Sequence, residues 1–138
     1  MTEQYKFLDH TADVKFQAFG KTVEEVFTNS ALAMFHVMYK GKIRATQDME
    51  VSVEGNDLVN LLYNFLEEFL FLFDSRNFLA STIKKIKLRD KPLTLRAEVV
   101  GDDAKNYEIN LGIKAVTYHD MFVRQENNQW ITQVVLDV

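Results

Sequence analysis

Cysteine is absent, so the chain builds neither a disulfide framework nor a thiolate zinc site, and it has no cysteine nucleophile. That absence suits a reducing compartment, and a cytoplasmic protein is the expectation. One proline and five glycines leave little room for long loops, and no repeat or low-complexity stretch interrupts the chain. A single domain over residues 1–138 follows as the expectation. Long apolar runs are missing too. The longest, over residues 65–73, is broken by Glu67 and Glu68, too short and too charged to span a bilayer. Residues 1–5 carry an acid and no apolar core, unlike a secretory signal, so no membrane partner is expected. Positive charge is in deficit, with a formal net charge of -4. A basic face able to neutralise phosphates is therefore not expected, nor is direct nucleic-acid binding.

What the chain does have is apolar mass. The hydrophobic fraction is 47% and phenylalanine occurs 11 times, enough for an aromatic-rich core. Tyr5–Leu8 reads as a strand, followed by a polar turn at Asp9-His10-Thr11-Ala12-Asp13. Val14, Phe16 and Ala18 alternate with Lys15 and Gln17, as in a strand with one buried face ended by Gly20. Thr22 and Glu25 have the spacing of a capping box, and the helix behind them places Val23, Val26, Phe27, Met34 and Met38 at helical intervals until about residues 39–41. Met49, Val51 and Val53 predict another strand. Asp57 caps a second helix from Leu58 to about Asp74, apolar on more than one side and so either buried between layers or offered to a partner.

From Ile83 the period returns to two. Ile86 and Leu88, then Leu93, Leu95, Ala97 and Val99, predict strands, with a turn at Gly101-Asp102-Asp103. Tyr107, Ile109 and Leu111 read as a continuation of the sheet. A hairpin closes the chain, residues 119–126 and 129–138 around Asn127-Asn128. The pattern predicts an α+β fold, a single-domain two-layer sandwich with a mostly antiparallel sheet and two main helices on one face.

Three places carry potential chemistry. Asp9, His10 and Asp13 put two carboxylates and an imidazole within one bend, where hard cations find converging oxygens; the same residues also serve simply to satisfy turn amides. Asp137 ends an apolar strand beside Val138, where two adjacent negative charges are predicted if Val138 bears the terminal carboxylate. If that strand lies near Asp13, the like charges need a cation or protons to relieve them. Lys114 and His119 flank Ala115-Val116-Thr117-Tyr118, a lysine suited to phosphate and an imidazole suited to base or ligand chemistry, or an ordinary exposed pair. No phosphate-cradling glycine loop is present, since Gly112 stands alone.

Phe7-Leu8-Asp9-His10-Thr11-Ala12-Asp13-Val14, Gly112-Ile113-Lys114-Ala115-Val116-Thr117-Tyr118-His119 and Val134-Val135-Leu136-Asp137-Val138 resemble the motifs of the archease family. The helix with Ala31-Leu32-Ala33-Met34-Phe35 is similar as well. The resemblance covers essentially the whole chain. It implies a protein cofactor, not itself an enzyme, of the RtcB-type RNA ligase in tRNA splicing and RNA repair. In that role it would promote GTP-dependent guanylylation and repeated turnover of the ligase, with GTP contacted only inside the ligase complex. It also implies a divalent metal held by Asp13, Asp137 and Val138, with calcium the ion expected bound and magnesium or manganese expected in function. Asp9, His10, Lys114 and His119 are additional candidates. Two other functions remain open on residues alone. One is a stand-alone metal-dependent hydrolase using Asp9, His10 and Asp13. The other is a scaffold or chaperone acting through an exposed Leu/Phe surface of the second helix.

Overall fold

A computed structural model describes residues 3–9 and 13–138. In chain order it contains β1 (Tyr5–Leu8), β2 (Val14–Gly20), α1 (Val23–Met38), β3 (Gln47–Glu54), α2 (Leu58–Arg76), β4 (Phe78–Arg89), β5 (Thr94–Asp103), β6 (Ala115–Glu126) and β7 (Gln129–Asp137). A short 3-10 turn, Ala104–Asn106, follows β5. The fold is α+β with two helices and antiparallel strand pairing, as the periodicities predict. The strands divide into two sheets, ordered β1-β2-β7-β6 and β3-β5-β4.

Both helices touch both sheets. α1 packs on β2 and β7 and also on β4, while α2 packs on β6 and also on β3 and β4. This is why neither helix shows a narrow apolar stripe: a helix with sheet contacts on two sides is apolar around most of its circumference. In α1, Val26, Phe27, Ala31, Ala33 and Met34 are fully buried; in α2, Leu61, Leu62, Phe65 and Leu66 are. The apolar surface of α2 is thus consumed by the core, leaving Phe71 as its exposed aromatic, which removes the motive for a scaffold acting through that helix.

Local chemistry fixes the helix ends. The Glu25 amide donates to Thr22 Oγ1 at 3.0 Å, and the Glu25 carboxylate accepts from the Lys21 amide at 2.9 Å, one residue earlier than an ideal capping box. Asp57 caps α2 by accepting from the Asn60 amide at 2.8 Å. Asn77 closes it in the left-handed conformation, φ 53°.

The structure departs from the periodic reading in several stretches, among them the first strand of the closing hairpin, which begins at Ala115 and not at residue 119. β4 begins at Phe78, because Phe78, Leu79 and Ala80 are all buried and so show no alternation. The turn predicted at Gly101-Asp102-Asp103 is instead the end of β5, with Gly101 opposite Ala80 where an added Cβ would run into the Leu79 carbonyl. Residues 107–111 are not a strand; Tyr107 and Ile109 pack on the core from a connecting segment.

Asp102 explains the second departure. It is buried and accepts from Thr46 Oγ1 at 2.5 Å, from the Tyr107 hydroxyl at 2.7 Å and from the Asp103 amide at 2.8 Å. The Tyr107 hydroxyl in turn accepts from the Arg44 amide at 2.8 Å. The Thr46 hydroxyl above all, and then that of Tyr107, hold the carboxyl down at about 2 against the opposing effect of burial. This carboxylate ties β5 to the segments on either side of it; it is structural.

Candidate metal centre

The site is built by strand register. β2 and β7 run antiparallel with Val14 opposite Leu136 and Phe16 opposite Val134, all four on the core side of the sheet. Val14–Leu136 is the last pair of this ladder, and the next residue on each strand's side is an acid, Asp13 just before β2 and Asp137 at the end of β7. Residues from the two ends of the sequence therefore meet because their strands are neighbours. The alternation that buries Val14 and Leu136 turns the neighbouring positions toward the opposite face.

The other side of Asp137 is anchored as well. Its carbonyl accepts from the Lys114 amide at 2.8 Å, and Ala115 is its cross-strand partner in β6. Lys114 is thereby fixed beside Asp137, with its side chain exposed. Val138, half-buried, follows directly and packs against the core. β6 is itself held from α2: its Val116 amide donates to the Glu67 carboxylate at 2.7 Å, and Tyr118 stacks on Tyr63 at 4.1 Å with its hydroxyl accepting from Asn60. Burial, then the Glu67 carboxylate, raises the Tyr63 pKa. Glu67, which breaks the apolar run of α2, is thus a strand anchor, a role its sequence position signals only as an interruption.

Asp13 also lines an open cleft of 470 Å³. Its wall combines apolar side chains, Phe7 and Leu111 among them, with Lys15, His36 and Lys40. Phe7 and Leu111 are 43% and 39% exposed, so Asp13 sits beside uncovered apolar surface.

Of the other candidates, Asp9 is exposed and follows Leu8, which pairs with Lys15. His10 lies outside the described residues, as does most of the predicted turn. His119 stands in an irregular part of β6, with Nε2 3.3 Å from Asp120 Oδ2. Among the described residues no group of three or more Asp, Glu and His side chains converges on one point. What register does bring together is an oxygen donor pair, Asp13 and Asp137, with main-chain oxygens adjacent. Such a set fits a hard divalent cation that keeps water or a partner's oxygens in its remaining positions, as magnesium and manganese do and calcium tolerates.

No helix among the described residues is long and apolar enough to cross a membrane. The family profile of the archease protein family (MTH1598/TM1083) matches residues 5–138. Protein archease of Methanosarcina barkeri is 40% identical over 141 residues, covering 99% of this chain and 97% of that protein. Protein archease of Pyrococcus furiosus is 38% identical, covering 98% and 99%. Among solved structures, the solution structure of Methanobacterium thermoautotrophicum protein 1598 superposes with a TM-score of 0.83 at 37% identity, covering 98% of this chain and 99% of that one. A crystal structure from Thermotoga maritima described as an archease, possible chaperone, shares the fold at a TM-score of 0.65 and 19% identity over 96% of each chain. A full-length match of sequence and fold, carried by the same strands that bring Asp13 level with Asp137, places this chain in the archease family.

Proposed function

We propose that the protein is an activator of an RtcB-type RNA ligase, promoting its GTP-dependent guanylylation and turnover in tRNA splicing and RNA repair. The observation that carries this reading is the Val14–Leu136 register, which puts Asp13 and Asp137 next in line at one end of the β2–β7 ladder, with Asp13 beside exposed Phe7 and Leu111. Two carboxylates close together favour a cation or a proton that relieves their repulsion. Asp13 and Asp137, with an oxygen from Val138, would hold that cation, and bound there it would supply positive charge to oxygen atoms brought against it. The chain's own residues do the rest. The Lys114–Asp137 backbone bond holds the second acid in place, and the apolar rim gives a partner protein a surface to bury.

An incomplete shell suits an activator better than a free-standing hydrolase, because the remaining positions are available to the partner's nucleotide. The net charge of -4 likewise suits approach to a basic ligase cleft more than to naked RNA. The test is transfer of labelled GMP from GTP to a purified RtcB-type ligase at limiting manganese, with and without this protein. Stimulation by substoichiometric protein is the expected result. No stimulation of a competent ligase at any metal concentration overturns the proposal.

A further inference from the structure

Lys15 is two residues along β2 from Asp13 and lines the same cleft. Its cross-strand partner is Val135, two residues before Asp137. Its side chain is only 20% exposed, and its Nζ lies 3.6 Å from Asp120 Oδ2. The fold takes unusual steps to put Asp120 there. Between the Thr117–Val135 and Phe122–Gln133 pairs, β6 inserts residues 118–121 opposite Val134 alone. Within this bulge Asp120 adopts the left-handed conformation, φ 53°, which disfavours a residue with a Cβ and persists where surroundings impose it.

The imposing groups are visible. Gln133 Nε2 donates to the Asp120 carbonyl at 2.8 Å, and Gln17 Nε2 donates to Gln133 Oε1 at 2.9 Å. A chain of two amides across β2 and β7 therefore clamps the bulge, and bulges of this kind re-aim side chains. What is aimed here is a carboxylate whose Oδ2 lies 3.3 Å from His119 Nε2 and 3.6 Å from the Nζ of Lys15, the lysine two residues along the chain from Asp13. At 3.6 Å the contact is longer than a charge-assisted hydrogen bond of about 2.7–2.9 Å. It orients the ammonium without using up its three donors.

We propose that Lys15 is the phosphate-receiving cation of this site. A phosphate oxygen bound to the cation at Asp13 and Asp137 rests on the Lys15 ammonium, and Asp120 is the positioning residue that holds the ammonium in place. The inference deepens the reading of Asp13 and Asp137 as a cation site and rests on it. A phosphate arriving beside two carboxylates needs positive charge on two sides, and the metal and Lys15 would supply it. A lysine suits this task because its ammonium is a compact point charge on a flexible stem.

The test uses the isolated protein saturated with magnesium and titrated with inorganic phosphate, followed by amide chemical shifts. Wild type is expected to show saturable shifts centred on Lys15 and Asp13. Lys15→Met should weaken phosphate binding at least tenfold while leaving magnesium affinity within twofold and the remaining spectrum folded, and Lys15→Arg should recover most of the loss. Phosphate binding by Lys15→Met within twofold of wild type overturns the proposal, as does the absence of saturable shifts in wild type. Failure of ligase stimulation is a separate result: it sinks the activator reading without altering this binding measurement.

Discussion

Asp102 and Asp137 look alike in the sequence, each an acid at the end of an apolar strand, and the structure gives them different surroundings. Asp102 is enclosed by Thr46, Tyr107 and the Asp103 amide, so its carboxylate is a structural tie. Because its folded pKa, about 2, lies below the ordinary value of 3.8, it stabilises the fold fully above that value. The contribution is lost as pH falls from 3.8 toward about 2. Thermal melts from neutral pH down through that window should show Asp102→Asn less stable than wild type at neutral pH by several degrees, with the two curves converging in acid. Parallel curves would contradict the assignment. On the proposed reading Asp13 and Asp137 are cation ligands, and replacing either with Asn should leave the melting temperature within about 2 °C while abolishing ligase stimulation. Asp13 and Asp137 as a pair were legible only through the family motifs, since no local pattern tells that residues so far apart share a sheet level. Lys15 and Asp120 were not legible at all as partners, because a bulge with a left-handed aspartate has no signature in alternation.

At the scale of elements, periodicity located both helices and most strands because each has a polar side. It failed where burial is complete or where side chains replace the expected turn, as at Phe78, Leu79 and Ala80 or at Asp102. The closing hairpin was readable in its turn, where Asn127 and Asn128 adopt φ 49° and 63°. It was not readable at its start, because β6 begins at Ala115, held by Glu67 from α2. The second helix gives the sharpest energetic contrast. Phe65 is fully buried, stacks with Phe27 and meets Phe69 edge to face, so Phe65→Ala should cost about 3–5 kcal/mol in chemical denaturation. Phe71 is 58% exposed, and Phe71→Ser should change stability by less than about 0.5 kcal/mol and leave ligase stimulation intact. Loss of stimulation in Phe71→Ser with stability unchanged would restore the scaffold reading. The Thr22 cap is a smaller lever, with Thr22→Ala expected to cost about 1 kcal/mol in the same assay.

For the whole molecule, the helices serve as a shared layer that fixes two sheets, and the sheet β1-β2-β7-β6 joins the two ends of the sequence. That topology, rather than any single motif, sets Asp13 beside Asp137. The measurement that tests this most directly is calorimetric titration of manganese into the isolated wild type, Asp13→Asn, Asp137→Asn and the double variant. The account predicts one ion per wild-type chain, loss of at least tenfold in affinity in each single variant, and little further loss in the double variant, as expected of two ligands to one ion. Undiminished manganese binding in either single variant would contradict it, because the two carboxylates would then not share a cation.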